Sequence, residues 1–289
     1  MATIGKSELI INEDGSIFHL HLFPEQLSEK VILVGDPARV KLVAAHFDSV
    51  ECEVGSREFY TITGSYKGKR ITVLSHGIGG DNIDIVLTEL DALANIDFKT
   101  RELKTELRQL TLVRIGTSGA MQKEVPLGGY VASEKSIGYE GALYFYKDSN
   151  RVRDLNFERA FAECLGSVAE NLRPYVVSAS ESLLEQIART DMLKGVTISA
   201  NGFYGAQGRA LRLPLREPEA NRRIEAFRFN GQCITNYEME GAALAGLATL
   251  MGHRALTVCC IIAHRHHKEV NVNYTEKVAE LIKKVLDRI

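Results

Sequence analysis

Two carboxylates lie where a strand-like run meets a run of small and apolar residues typical of a helix. The strand-like run is Gln232–Tyr237, the carboxylates are Glu238 and Glu240, and the helical run begins at Gly241. Carboxylates at such a buried junction cost free energy to desolvate unless cations or hydrogen-bond donors compensate them. They are the first candidates for a site, although acidic residues are also favoured at helix N-termini for structural reasons alone.

A second group of residues could bind an anion. The apolar run Val31–Val34 is followed by Gly35 and by Asp36 and Pro37, which are a good N-cap and a good first helical residue. A strand, a glycine turn and a helix N-terminus together expose backbone amides to an anion, and Arg39 falls in the first helical turn.

Arg114 interrupts an otherwise apolar strand, Leu110–Ile115, and a glycine-rich turn with two hydroxyls is predicted at 116–119. A buried guanidinium needs either a carboxylate or a bound oxyanion as its partner, and both interpretations remain open. Arg114 would be one of several donors that together could hold a dianion without a metal. The others are Arg39, Arg57, Thr117 and the Gly35 amide.

Composition limits the function classes. The chain has 289 residues, of which 45% are hydrophobic and 25% charged, so it can bury a core as one α/β domain. The net charge of −2 provides no general attraction for nucleic acid or an anionic membrane. Five cysteines without a CxxC pair, and no apolar run of membrane-spanning length, favour a reducing cytoplasm.

Nucleotide and metal motifs are incomplete. Residues 64–70 resemble a P-loop but are one residue short, and the glycines at 77–80 lack the third glycine of a dinucleotide fingerprint. Three histidines at 264, 266 and 267 suggest zinc, but no acidic residue or cysteine has a fitting spacing, so no metal is predicted.

Four elements outside these motifs are predicted from pattern alone. The alternation at Phe18–Leu22 favours an extended strand with His19 and His21 on one face, and the charged stretch Lys99–Gln109 favours a solvated helix. The run from Arg254 to Ala263 favours a buried strand, and Thr275–Arg288 favours a closing amphipathic helix.

Four ordered motifs resemble the purine-nucleoside/uridine phosphorylase family. They are Gly35-Asp36-Pro37, Arg57-Glu58-Phe59, Arg114 to Gly119 and Tyr237-Glu238-Met239-Glu240. The resemblance implies one α/β nucleoside phosphorylase domain over 1–289, with a central mixed twisted sheet or distorted barrel flanked by helices. It implies phosphate binding by Gly35, Arg39, Arg57, Arg114 and Thr117, and ribose binding by His19, Glu238, Met239 and Glu240. Arg57 and His19 are expected to come from a neighbouring subunit, so a homo-oligomer is expected, either a dimer or a trimer of dimers.

The stretch Gly202–Arg209 resembles the signature of the uridine-cleaving branch, in which Phe203 stacks on the base while Gln207 and Arg209 read its edge. An amide can accept from uracil N3–H and donate to O2, and a guanidinium can donate to O4. That branch usually carries asparagine at the position of His264, where purine-cleaving relatives carry aspartate.

The resemblance implies a pentosyltransferase that cleaves uridine with phosphate as co-substrate, with Arg209, Gln207, Arg114 and Glu240 as catalytic residues and no cofactor. The position of Glu58 matches a monovalent cation site of some relatives, although Asn82 replaces a serine there. A purine nucleoside phosphorylase, a hydrolytic nucleosidase and a non-catalytic nucleoside-binding homologue remain as alternatives.

Overall fold

Strands and helices alternate along most of the chain. A computed structural model describes residues 3–265, 269–271 and 273–289. In these ranges the strands are β1 Lys30–Val34, β2 Ser49–Ser56, β3 Phe59–Tyr66, β4 Lys69–Ser75, β5 Ile96–Asp97, β6 Glu102–Leu103, β7 Thr111–Ala120, β8 Tyr130–Gly138, β9 Tyr175–Ser178, β10 Leu193–Ser199, β11 Arg228–Phe229, β12 Gln232–Glu238, β13 Arg254–His264 and β14 Glu269–Val270. The α-helices are α1 Pro37–Ala44, α2 Gly80–Asn95, α3 Leu155–Leu165, α4 Ser167–Leu172, α5 Glu181–Ile187, α6 Ala220–Ala226, α7 Gly241–Leu250 and α8 Thr275–Arg288.

Part of the main sheet closes into a ring. β7 pairs with β13, β13 with β8, β8 with β10 and β10 with β12, and β12 then returns to pair with β7. The closing contact places Asn236 opposite Ala120 and Tyr237 opposite Gly119. From β7 the sheet continues through β1, β4 and β3 to β2. Parallel and antiparallel pairs both occur, so the predicted mixed sheet with a distorted barrel is confirmed.

Helices cover both faces of this sheet. α2 and α7 pack against each other in a cluster that includes Val86, Leu90, Leu244 and Leu247. On the other face, α1, α5 and α8 contribute to a second cluster, and the predicted closing helix is present at Thr275–Arg288. Within the described ranges, no helix is long and apolar enough to cross a bilayer.

Strand ends bring the candidate residues together. β1 ends at Val34 and delivers Gly35, and Asp36 caps α1 by accepting the Ala38 N–H at 2.9 Å, as predicted. β12 ends at Glu238, immediately before α7. β13 runs beside β7 and supports the strand that carries Arg114. The fold therefore gathers residues from distant parts of the sequence around one end of the ring.

The predicted strand at Phe18–Leu22 is wrong. Phe18–Leu20 is a turn, and the Glu89 carboxylate accepts the backbone N–H groups of His19 at 3.0 Å and Leu20 at 2.9 Å. A local alternation cannot reveal this turn because the carboxylate that holds it belongs to α2, about seventy residues later.

Two further local predictions are wrong. The glycine-rich stretch 116–119 is not a turn but the second half of β7, because β13 and β12 both pair with it. The charged stretch Lys99–Gln109 is not a helix: Glu102–Leu103 pairs with Ile96–Asp97, and Asp97 accepts the N–H groups of Lys99 and Thr100 in the connecting turn. In both places tertiary or turn contacts override the local pattern.

Candidate active site

A cavity of about 970 Å³ opens at this end of the ring. It is lined by ten of the twelve predicted site residues: Gly35, Arg39, Arg114, Thr117, Phe203, Gln207, Arg209, Glu238, Met239 and Glu240. Glycines, apolar side chains and Tyr237 form much of the remaining wall. Residues predicted from separate motifs thus share one concave site of a size suited to a small molecule.

Arg114 and the two carboxylates form a buried ion cluster, called here the Arg114 centre (Arg114, Glu238 and Glu240). Arg114 is 4% exposed, its Nη1 lies 2.9 Å from a Glu238 oxygen, and its Nη2 donates to Glu240. Burial opposes the charge on Arg114, but Glu240 and Glu238 outweigh it and raise the arginine pKa. Arg114 therefore stays cationic and compensates the desolvation of both carboxylates.

Backbone donors complete the compensation of Glu238. Its carboxylate accepts the N–H groups of Glu240 and Gly241, each at 2.9 Å, and the hydroxyl of Ser199. Ser199 in turn accepts the Ala242 N–H at 2.8 Å. Glu238 thus caps α7, which confirms the structural interpretation for this carboxylate while leaving it in the cavity wall.

Glu240 joins two helix N-termini. It precedes α7, and one of its oxygens accepts the backbone N–H of Gly79, the residue before α2, at 2.7 Å. Gly79 has φ 97°, a conformation that glycine adopts without strain. The carboxylate is held on both oxygens, and its remaining lone pairs can accept hydroxyl groups of a ligand.

Arg39 is the second cation predicted to bind an anion, and it lines the cavity near Arg114. Arg39 is partly buried beside Arg114, its Nη1 donates to the Ile115 carbonyl at 3.4 Å, and it has no carboxylate ion pair among the described residues. Burial lowers the pKa of Arg39, and the like charge of Arg114 lowers it further. A bound dianion between Arg39, Thr117 and the Gly35 turn would relieve that repulsion.

The base loop, residues 202–209, contributes Phe203, Gln207 and Arg209 to the cavity wall. Arg209 lies over the Phe203 ring at 3.7 Å and donates to both the Phe203 carbonyl and Gln207 Oε1, the latter at 2.8 Å. Arg265 donates to the same Gln207 oxygen at 2.8 Å. Burial, followed by the charge of Arg265, lowers the pKa of Arg209 to about 10.

Two guanidiniums on one amide oxygen fix the orientation of Gln207. Both of its Oε1 lone pairs are occupied, so the amide presents its N–H₂ group as the free polar group. The predicted donation to uracil O2 is compatible with this arrangement. The predicted acceptance from N3–H is not, because it first requires one guanidinium to release the oxygen.

Two predicted site residues, His19 and Arg57, do not line the cavity of their own chain. The exposed Arg57 lies 5.6 Å from the Phe18 ring, which is 4.6 Å from the His19 ring. His19 Nδ1 is 2.6 Å from Glu89 Oε1, which favours the tautomer that leaves Nε2 as an acceptor. The two residues therefore share one surface cluster.

The histidines at the end of β13 have separate positions. His264 is buried, pairs with Ala120 and Glu269 in the sheet, and is not among the cavity-lining residues. His266 and His267 lie outside the described residues. The described residues contain no group of three His, Cys, Asp or Glu side chains arranged to hold a metal. Glu58 and Asn82 both line the cavity.

Sequence reasoning missed Arg265 and Gly79. Arg265 follows the last residue of β13, and a cation directly after a buried strand was a usable signal, although its partner Gln207 is about sixty residues away. The role of Gly79 is carried by its backbone N–H, and no side-chain pattern marks such a donor.

Comparisons with known proteins match most of the chain. The family model described as the Phosphorylase superfamily matches residues 29–289. A uridine phosphorylase of Thermococcus kodakarensis is 29% identical over 278 residues, covering 93% of this chain and 85% of that protein. A DeoD-type purine nucleoside phosphorylase of Colwellia psychrerythraea is 28% identical over 247 residues, covering 85% and 86%.

A solved structure supports the relationship. It is a Trypanosoma brucei nucleoside phosphorylase described as showing uridine phosphorylase activity, with a TM-score of 0.86, 25% identity and coverage of 97% of this chain and 100% of that one. The matches extend across the ring, the Arg114 centre and the base loop. The chain therefore belongs to the phosphorylase superfamily.

Proposed function

We propose that the protein catalyses the reversible phosphorolysis of uridine to uracil and ribose 1-phosphate. The observation that carries the proposal is that the wall of one cavity combines anion donors, the carboxylates of the Arg114 centre and residues of the base loop. The similarity to uridine phosphorylases over more than nine-tenths of the chain supports the same activity. The enzyme would be a pentosyltransferase that needs phosphate and no organic cofactor.

Each part of the cavity has a role in this reaction. Phosphate binds to Gly35, Arg39, Arg114 and Thr117, while Glu240, Met239 and Glu238 hold the ribose hydroxyls. Cleavage of the glycosidic bond develops positive charge on the ribose and negative charge on the departing uracil. The phosphate dianion faces the first charge and Arg209 the second, so both electrostatic interactions strengthen toward the transition state.

Base binding exchanges hydrogen bonds within the base loop. In the absence of a base, Arg209 donates to Gln207 Oε1 and to the Phe203 carbonyl. Arg209 then donates to uracil O4 in place of these two acceptors. One lone pair of Gln207 Oε1 is thereby freed and accepts from uracil N3–H. Arg265 keeps the other lone pair and holds the amide in orientation. The Gln207 N–H₂ group then donates to O2.

The active site is completed by a second subunit. His19 and Arg57 lie in one surface cluster outside their own cavity, and this placement supports donation of both residues to a neighbour. In that site Arg57 would bind phosphate and the free Nε2 of His19 would accept the ribose 5′-hydroxyl. A homodimer is the minimal assembly that satisfies this arrangement. Five free cysteines support a cytoplasmic location.

The deciding measurement is uracil release from uridine, followed by ultraviolet absorbance with phosphate present and then omitted. Phosphate-dependent release is expected. Phosphate-independent release would instead identify a hydrolytic nucleosidase. Phosphate-dependent cleavage of inosine without cleavage of uridine would identify a purine nucleoside phosphorylase, and no turnover of either would identify a binding homologue. Repeating the assay with sodium, potassium or a bulky organic cation as the only monovalent cation tests the site at Glu58.

A further inference from the structure

His76 is fully buried and lies behind Gly35, which lines the cavity. It follows β4, and its backbone N–H donates to the carbonyl of Val34, the last residue of β1, at 2.8 Å. A side-chain carbon placed on Gly35 would come within 3.9 Å of His76 Cε1. The imidazole is therefore packed against the glycine turn to which the proposed function assigns phosphate.

The same imidazole is hydrogen-bonded to Arg114. The Nε–H of Arg114 points to His76 Nε2 at 3.3 Å, while Nη1 and Nη2 are engaged by Glu238 and Glu240. Nη1 also contacts Cys259 Sγ at 3.8 Å. His76 thus accepts from the Nε–H of the guanidinium, whereas the carboxylates hold its two Nη groups.

This contact requires a neutral imidazole. Burial lowers the pKa of His76 well below its ordinary value, the charge of Arg114 lowers it further, and a backbone interaction with Gly77 offsets only part of the effect. The charged groups around it are Arg114 on β7 and Arg39 on α1, while Glu238 at the end of β12 and Glu240 before α7 pair with Arg114. Neutral imidazole keeps a lone pair on Nε2, which can accept from the guanidinium.

We propose that His76 is a positioning residue for phosphate, whose Nε2 fixes Arg114 while its ring supports the Gly35 turn. The two carboxylates hold the Nη groups of the guanidinium, but they do not prevent the Nε end from tilting out of the plane that they define. An acceptor on Nε removes this freedom and keeps Arg114 aligned with the turn. The inference rests on the proposed function, because it requires phosphate to be the ligand of Arg114.

The test uses three substitutions that differ in where an acceptor atom lies. In His76→Gln, the amide oxygen is the same number of bonds from Cβ as Nε2, so it can accept from Arg114. His76→Asn places its oxygen at the position of Nδ1, which is too short to reach, and His76→Leu has no acceptor. Phosphate affinity is measured by calorimetric titration of each whole protein with inorganic phosphate, and turnover of uridine is measured separately.

We expect the Leu and Asn variants to bind phosphate about tenfold more weakly, the scale of one hydrogen bond to a charged group. The Gln variant is expected to stay within about twofold of the unaltered protein, with the KM for uridine nearly unchanged in all three. Equal phosphate affinity in all variants would overturn the inference, and so would equal losses in Gln, Asn and Leu. If the Leu variant does not fold, the difference in phosphate affinity between the Gln and Asn variants decides the question.

Failure of this inference can be separated from failure of the proposed function. An unaltered protein that binds phosphate but does not cleave uridine refutes the function while the titrations still decide the role of His76. An unaltered protein that cleaves uridine, together with variants of equal phosphate affinity, refutes only the positioning role.

Discussion

The Arg114 centre and the base loop hold positive charge in opposite ways. In the Arg114 centre, one buried guanidinium lies against two carboxylates, and all three residues are at most 5% exposed. In the base loop, Arg209 and Arg265 converge on one neutral amide, and Phe203 is 51% exposed. The charges of the first arrangement compensate one another, whereas the second brings two like charges together on a neutral group.

This difference assigns different tasks to the two regions. The Arg114 centre is supported by strands and helix N-termini, so its geometry is set when the chain folds. The base loop contains only a short 3-10 turn, Gly205–Gln207, and the oxygens that accept from Arg209 could be replaced by those of a ligand. Substitutions in the first region should therefore affect stability as well as activity, and those in the second should affect activity almost alone.

The largest expected effect comes from Arg114→Met. This change leaves Glu238 and Glu240 buried without their counter-charge, so we expect the free energy of unfolding to fall by about 3 to 5 kcal/mol. Chemical denaturation measures it. Arg39→Met is the matched control, because Arg39 lines the same cavity without a carboxylate ion pair in the described residues, and a loss below about 1 kcal/mol is expected. Equal losses would show that the carboxylates do not depend on Arg114.

Arg209→Ala tests the other side of the comparison. If Arg209 donates to the departing base as proposed, its removal should raise the barrier for uridine cleavage by about 2 to 4 kcal/mol, with little change in melting temperature. Phe203→Ala should lower turnover less, because stacking contributes to binding in both the ground state and the transition state. Steady-state kinetics of both variants provide the measurement. Equal, small losses in kcat would contradict the role given to Arg209.

Glu140 should make the stability of the protein depend on pH. Burial raises the pKa of Glu140 to about 7 from its ordinary 4.5, although Tyr175 donates a hydrogen bond to it. Between these values the folded protein holds a proton that the unfolded chain has released, so stability falls as pH rises from about 4.5 to 7 and levels off above. The change is up to about 3 kcal/mol. Denaturation curves of Glu140→Gln across this range should lose that slope; an unchanged slope would assign it to another group.

The smallest expected effect is that of Asn221→Ala, beneath the base loop. Asn221 Nδ2 donates to the Gln207 carbonyl at 3.1 Å, and its Oδ1 accepts from the Tyr237 hydroxyl at 3.1 Å. Loss of these bonds should raise the KM for uridine about fivefold, corresponding to ~1 kcal/mol. Asn171→Ala is the control, since the one side-chain hydrogen bond that Asn171 makes within the described residues is to the nearby Ser167 carbonyl. A KM equal to that of the control would show that the loop positions Gln207 by itself.

The sequence predicts the positions of residues that lie at the ends of apolar runs. Glu238 and Glu240 lie at a strand-to-helix junction as expected, and Asp36 caps α1. The partner of Arg114 was left open because a buried guanidinium is satisfied equally well by a carboxylate or by an oxyanion. The structure shows the carboxylates; phosphate binding by the same residue remains a prediction.

Where sequence failed, the missing information was tertiary. The stretch 116–119 contains turn-forming residues but lies in β7 because two neighbouring strands pair with it. The turn at Phe18–Leu20 depends on Glu89 of α2. The same limit applies to Gln207, whose orientation follows from an arginine at the far end of β13.

The closing contact between β7 and β12 has a consequence for the order of folding. Its partners, Gly119 and Tyr237, are separated by more than a hundred residues, and the neighbouring pairing of β7 with β13 also joins residues more than a hundred positions apart. Contacts of such high sequence separation have a large loop-closure entropy and form slowly. Arg114 and Glu238 lie on these same two strands, so we expect the Arg114 centre to assemble together with these slow, long-range contacts. The appearance of catalytic activity should therefore be among the last events of refolding.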